Sequence, residues 1–368
     1  MRELRLLFAL FCLAIAGLWI IQAAIVVHGT GDDWKIFWSA GHHVGSLELL
    51  TVSHFVYMPG AAWSLWLFAH FTRPVGYSLY TALMIGLAIG AAVLASSIYR
   101  MSAMLTTLMT LAWWPLTIAV CLGQTSPLAL FLTTAAIFAL VNDMEVLLGM
   151  AVGAAFYKPT IALPFVVLLL IFRQWKALGV VAASLAVWFI LSVAATHDWL
   201  WPNTYIHTLT SLYRVDRVVD GDYSISLPGV LIHMGLSPAI GWGLGLVMLL
   251  ATIPILARSS RLEAATIIPL IGLATTPHAY GYDALLVLPM LWLLASKASP
   301  ERWTLVALSY VIAPLYLFSR RLHFDALAIP VILSVVGWAI VRIRTKQYPG
   351  PAESCRIPIG PLTNRLRL

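Results

Sequence analysis

Long apolar runs separated by short polar stretches dominate the chain. They lie near 6–27, 58–71, 76–98, 104–121, 125–141, 145–172, 176–195, 227–256, 264–276, 283–296, 303–319 and 325–342. The runs are continuous, which excludes a transmembrane β-barrel, whose strands alternate over about ten residues. A helix crosses a bilayer with about 20 apolar residues, so one crossing per run predicts about twelve spans with both termini cytoplasmic. Runs 58–71 and 264–276 are short enough for partial helices. Run 145–172 carries Lys158 and Pro159 in its middle and also reads as two half-helices meeting there. Such breaks are tolerated only where protein or an aqueous cavity satisfies the freed backbone groups. The count therefore ranges from about ten to thirteen on spacing alone.

Three polar stretches stand between runs on the expected outer face: a long first loop at 28–57, a second at 196–226, and the short "TPHAYGYD" at 276–283. Neither an internal repeat nor a low-complexity tract is visible. Residues 1–342 read as one membrane domain and 343–368 as a basic cytoplasmic tail. Arg2 and Arg5 precede the first run as in a signal peptide, but that run is too long for a typical h-region and no small-residue cleavage motif closes it. It reads as an uncleaved first span.

Composition supports an all-α polytopic membrane protein: 61% of the 368 residues are hydrophobic and 10% charged, against about 25% charged in soluble domains. The net charge of +7 does not form a stripe. Basic residues cluster at the ends of apolar runs, at Arg73, Arg173/Lys176, Arg258/Arg261 and Lys297/Arg302, and in the tail at Arg342, Arg344, Lys346, Arg356, Arg365 and Arg367 against Glu353. This positive-inside pattern sets orientation and gives no reason for a nucleic-acid partner. Arg100, Arg320 and Arg321 fall on the opposite side. Membrane lipid is the expected partner of the spans, and the tail can rest on anionic headgroups. Cys12, Cys121 and Cys355 lie in two apolar runs and the tail, which argues against a disulfide framework or zinc site. Walker, Rossmann, HExxH, GxSxG and CxxC patterns are absent, so neither a cofactor nor a metal is expected.

Ionisable chemistry concentrates in the outer stretches. In "GDDWKIFWSAGHH" (31–43), helical spacing puts Asp33, Phe37, Ala40 and Gly41 on one face, with Trp34 and Trp38 at the headgroup level. One reading is an interfacial amphipathic helix with an Asp cap and an aromatic belt. The other takes Asp32 as the cap and leaves Asp33 facing inward as a base. "FVYMPGAAW" (55–63) returns the chain to the membrane: Pro59 starts a helix, and the Tyr57 hydroxyl lies near the cavity if the segment is functional. Gln124, in "CLGQTSPLAL", is either a turn residue or a site residue. Lys158 lies too deep to snorkel and needs an anion or carbonyl cluster. In "TTPHAYGYDALLVLP" (275–289), a turn and an Asp-capped helix explain Pro277 and Asp283 but leave His278 and Tyr280 unexplained. Arg214 and Arg217 sit one helical turn apart, as a phosphate clamp or as partners of Asp216 and Asp220 on a solvated face.

Taken in order, "DDWKIFWSAG", "YMPGAAW", "GQTSPL", "YKPTIALPF" and "PHAYGYD" resemble glycosyltransferase family 87 from about residue 30 to 290. These are membrane-embedded enzymes of the GT-C type that use polyprenyl-phosphate sugars. Where the family commonly has Tyr-Pro-Pro, this chain reads Tyr57-Met58-Pro59. The resemblance implies a GT-C-type bundle with a long first outer loop and an active site facing outside, in the cell envelope at a bacterial plasma membrane. It places the catalytic acidic residue, acting as a base, on Asp33, with Asp32 the near competitor. It further implies an inverting transfer of a hexose or pentose from a polyprenyl-phosphate donor to a lipid or glycan acceptor. Asp32, Tyr57, Gln124, Lys158, Arg214, Arg217, His278 and Tyr280 are the residues expected to hold the donor phosphate or substrate. A multi-pass transporter and a lipid-linked glycan ligase are the rival readings. The transporter would want ionisable groups at the midplane and repeated halves, whereas the ligase would share the outer-loop chemistry.

Overall fold

Proline and serine punctuate the apolar runs, and the helices begin where they fall. In the computed structural model, which describes residues 2–26, 31–52, 54–208, 224–297 and 299–313, proline lies in the first turn of Arg73–Tyr99, Trp114–Leu122, Ser126–Val141, Pro159–Ile171, Pro238–Ala251 and Leu288–Ser296. There its missing N–H costs nothing, because the first turn has no intrahelical acceptor for it. Ser102, Ser237 and Ser260 accept from the backbone N–H three residues on, and Ser260 forms a full capping box with Glu263.

Among the described residues every regular element is helical, with one isolated antiparallel bridge between Ser224 and Tyr280. Three helices are long and apolar enough to cross a bilayer: Arg73–Tyr99, Trp175–Thr196 and Pro238–Ala257. A fourth candidate is the pair Ala103–Ala112 and Trp114–Leu122, bent by 61°. Run 104–121, expected as one crossing, is thus broken at Trp113, with Pro115 in the first turn of its second half. Shorter apolar helices, including Ser126–Val141, Glu145–Tyr157, Pro159–Ile171 and Gly281–Ser296, pack around these. Run 325–342, the tail, and Arg214 and Arg217 lie outside the described residues.

The break expected near Lys158 is present. Helix Glu145–Ala154 tightens into a 3-10 turn over Ala155–Tyr157, Lys158 adopts a non-helical conformation (φ −127°, ψ 89°), and Pro159 opens the next helix. The lysine is thereby aimed into the protein rather than along a lipid-facing helix.

The first loop is itself built. Helix Asp32–His42 buries Trp34, Phe37, Ala40 and Gly41. This corrects the interfacial reading of Trp34, which is 0% exposed. Its ring stacks on Tyr80 at 4.9 Å and its indole N–H donates to the Arg73 carbonyl at 3.0 Å. Trp38 similarly donates to Phe71. A buried indole favours an acceptor, and for Trp34 the carbonyl that opens the long helix supplies it. The cap assignment is also corrected. Gly31 occupies the N-cap, and Asp32 lies in the first turn, 80% exposed and 2.7 Å from Lys35. Glycine is required there because a Cβ would fall 2.5 Å from the Leu122 carbonyl oxygen.

Candidate functional site

Three segments distant in sequence meet around Asp33. The first is its own helix. The second is the turn 123–126, where the Trp114–Leu122 helix reverses through Gly123 in the left-handed region (φ 80°). A side chain at Gly123 would place its Cβ 2.8 Å from that of Trp34, so the turn and the loop helix touch through backbone. The third is the return segment, in which Met58 is extended ahead of Pro59, as a residue preceding proline must be.

Gln124 is 6% exposed and both ends of its amide are engaged. Nε2 donates to Asp33 Oδ2 at 2.6 Å, and Oε1 accepts the Tyr57 hydroxyl at 3.0 Å. Thr125 Oγ1 donates in turn to the Tyr57 oxygen at 3.1 Å. The rings of Tyr57 and Tyr157 stack at 5.8 Å with 9° between planes. Burial, then the neighbouring Tyr157, pushes the Tyr57 phenol well above its ordinary range, so it stays a hydrogen-bond donor.

A cleft of about 90 Å³ opens beside this chain of bonds, lined by Asp33, Tyr57, Gln124, His54, His278, Tyr280 and Tyr282 among others. Behind it lies a buried ion pair. Lys158 Nζ stands 2.7 Å from Asp283 Oδ1, with the two side chains 7% and 4% exposed. Ser126 Oγ donates to the same oxygen at 3.0 Å, and the Tyr280 backbone N–H to the other at 3.3 Å. Those extra bonds make the pair tolerable, because two desolvated charges alone would not recover their hydration. A second, much smaller cavity of about 20 Å³ lies on the lysine side, lined by Lys158, Thr276, His278 and Asp283 together with the apolar Ile161, Pro269, Leu273 and Leu286.

His278 lines both cavities. Burial, then the nearby Lys158 charge, lowers its pKa from 6.5 to about 4, against a smaller opposing effect of Asp283. It is therefore a neutral imidazole at physiological pH, able to donate and accept without competing with Lys158 for an anion.

Of the residues expected from sequence, Asp33, Tyr57, Gln124, His278 and Tyr280 share one cleft. Lys158 adjoins it through His278. Asp32 points away on the exposed face of its helix, bonded to Lys35. From sequence Asp283 needs no role beyond capping a helix. Its carboxylate does accept the Tyr280 N–H, but its main partner is Lys158. An unpaired deep lysine and a carboxylate beginning an apolar run were the available signal. Thr125, Ser126, Tyr157 and His54 carried none. Among the described residues no group of three or more His, Cys, Asp or Glu side chains could hold a metal ion.

The arrangement offers a carboxylate at the wall of a cleft, held by a neutral donor, close to a buried lysine–aspartate pair. It can accept a proton from a polar substrate and steady an anion close by. No curated protein and no solved structure matches the chain. Residues 55–319 match glycosyltransferase family 87, a segment that holds Tyr57, Gln124, Lys158, His278, Tyr280 and Asp283 and begins after Asp33. Most of the chain lies within that match, and the protein therefore belongs to glycosyltransferase family 87, as a membrane glycosyltransferase.

Proposed function

We propose that the protein transfers a hexose or pentose from a polyprenyl-phosphate donor to a lipid or glycan acceptor at the outer face of a bacterial plasma membrane. Asp33 is the general base. Its carboxylate takes the proton of an acceptor hydroxyl as that oxygen attacks the anomeric carbon. The bond from that carbon to the phosphate oxygen breaks, and its electron pair leaves on the phosphate. One displacement without a covalent intermediate inverts the anomeric centre. Lys158 attracts the departing phosphate, and His278 and Tyr280 contact it or the sugar, with Arg214 and Arg217 as further phosphate ligands. The prenyl chain stays in lipid. The remaining apolar segments complete a GT-C-type bundle of about twelve crossings.

The observation that carries this reading is the seating of Asp33: a carboxylate bonded to Gln124 at 2.6 Å in a cleft that also holds His278 and adjoins Lys158.

Comparing Asp33→Asn with Asp32→Asn tests the base. Asparagine keeps size and shape but cannot accept the proton. Loss of a general base typically lowers rate by about 10²–10⁴-fold, so Asp33→Asn is expected to lose at least that much transfer. Asp32 makes an exposed i,i+3 pair with Lys35, worth at most ~0.5 kcal/mol, so its asparagine variant should remain near wild type. Equal loss in both would point to damage of the helix, and full activity in Asp33→Asn would remove it as the base.

A further inference from the structure

We infer that Gln124 is a positioning residue, which holds the Asp33 carboxylate charged and in one orientation through a hydrogen-bond chain begun by Thr125 and Tyr57. This rests on Asp33 being the base and assigns Gln124 and Tyr57 a role other than contact with substrate.

The direction of every bond in the chain is dictated by chemistry. A phenol raised far above its ordinary range by burial donates, so the atom of Gln124 that meets it must be the carbonyl oxygen. The amide nitrogen then faces Asp33. Turning the amide over would set its oxygen against the carboxylate, two acceptors facing each other with no proton between them. Thr125 donates to the phenol oxygen, so all three donors point toward Asp33. Each bond polarises the next, and the amide becomes a stronger donor than an isolated one.

The same turn serves the second centre. Ser126, two residues on, donates to Asp283, the partner of Lys158. One short turn thus sends Gln124 to the base and Ser126 to the ion pair. Asparagine at 124 would be one methylene too short to keep both contacts, and glutamate would place like charges together.

Other titratable groups surround Asp33 and define what a measurement there reads. Lys35 is on its own helix and pairs with Asp32. His54 and Tyr57 come from the return segment, and His278, Tyr280 and Tyr282 from the late loop. Gln124, which does not titrate, is a neutral donor bonded directly to the Asp33 carboxylate. A donor to a carboxylate favours its charged form, so deleting it makes the carboxylate easier to protonate.

The test needs no substrate. In full-length protein reconstituted in bilayers, the protonated-carboxyl infrared band of Asp33 is identified by its loss in Asp33→Asn and titrated against pH. Gln124→Leu is expected to move the midpoint upward by about one pH unit or more, the size expected for a lost bond to a charged group. Gln124→Asn, which keeps a polar side chain in the turn, should move it similarly if the leucine variant folds poorly. Tyr57→Phe should give a smaller shift in the same direction. Ser126→Ala, altering the same turn without touching Asp33, should leave the midpoint in place. An unmoved midpoint in the Gln124 variants overturns the proposal, as does an equal shift in Ser126→Ala. Retention of transfer by Asp33→Asn would instead remove the base while leaving this titration standing.

Discussion

Lys158 is a buried cation, and its pairing with the Asp283 carboxylate offsets the lost hydration. Breaking a buried pair from one side leaves an uncompensated charge, which typically costs about 3–5 kcal/mol. Lys158→Met and Asp283→Leu should each lower the thermal unfolding midpoint in detergent sharply, while the double variant should recover most of the loss and still fail to transfer sugar. A double variant as unstable as the singles would mean that the pair is not the source of the effect. His278 gives a pH signature. Its pKa in the fold is about 4 against an ordinary 6.5, so the unfolded chain binds the extra proton first. The stability of its neutral form is complete above about pH 6.5 and is lost as pH falls from there toward about 4. Unfolding midpoints should drop over that window and drop less in His278→Gln; identical slopes would place the acid sensitivity elsewhere.

At the scale of elements, the base is only as well placed as the helix that carries it. Helix Asp32–His42 is seated where Gly31 meets the Leu122 carbonyl and Gly123 meets Trp34. Gly31→Ala would bring a Cβ within 2.5 Å of that carbonyl oxygen and force the helix start outward. Misplacement by about 1 Å can cost about 10²-fold in rate, so this variant should lose transfer heavily while its other helices keep their circular dichroism. Wild-type activity in Gly31→Ala would show that the contact yields freely. These seats also mark what was readable from sequence. The helical face of Asp33, Phe37, Ala40 and Gly41 followed from periodicity, and the break at Lys158–Pro159 from a charge and a proline inside one apolar run. Trp34 was read as interfacial because apolar pattern alone cannot separate a lipid-facing ring from one facing protein. The Asp33–Gln124 bond joins residues 91 positions apart, a distance over which one sequence carries no pairing signal. Asp283 was hidden for a different reason: as the third residue of its turn it already had a sufficient local role.

For the whole molecule, the proposed function requires a sided membrane protein, with the first loop outside and the arginine-flanked turns inside. Starting from a cysteine-free variant, an impermeant thiol reagent added from outside should label Ser46→Cys and miss Ser259→Cys, which lies between Arg258 and Arg261. Reversed labelling would move the cleft to the cytoplasmic side. The central claim is that a lipid-borne sugar meets Asp33 in that cleft, and transfer in proteoliposomes tests it most directly. Vesicles holding the purified chain, isotope-labelled polyprenyl-phosphate mannose, glucose or arabinose, and an extract of membrane lipids and glycans as acceptor are incubated without any nucleotide sugar. The account predicts that label from at least one of these donors moves to acceptor with wild-type protein and falls to background with Asp33→Asn. Transfer that occurs only when a nucleotide sugar is supplied, with every lipid donor inert, would contradict it.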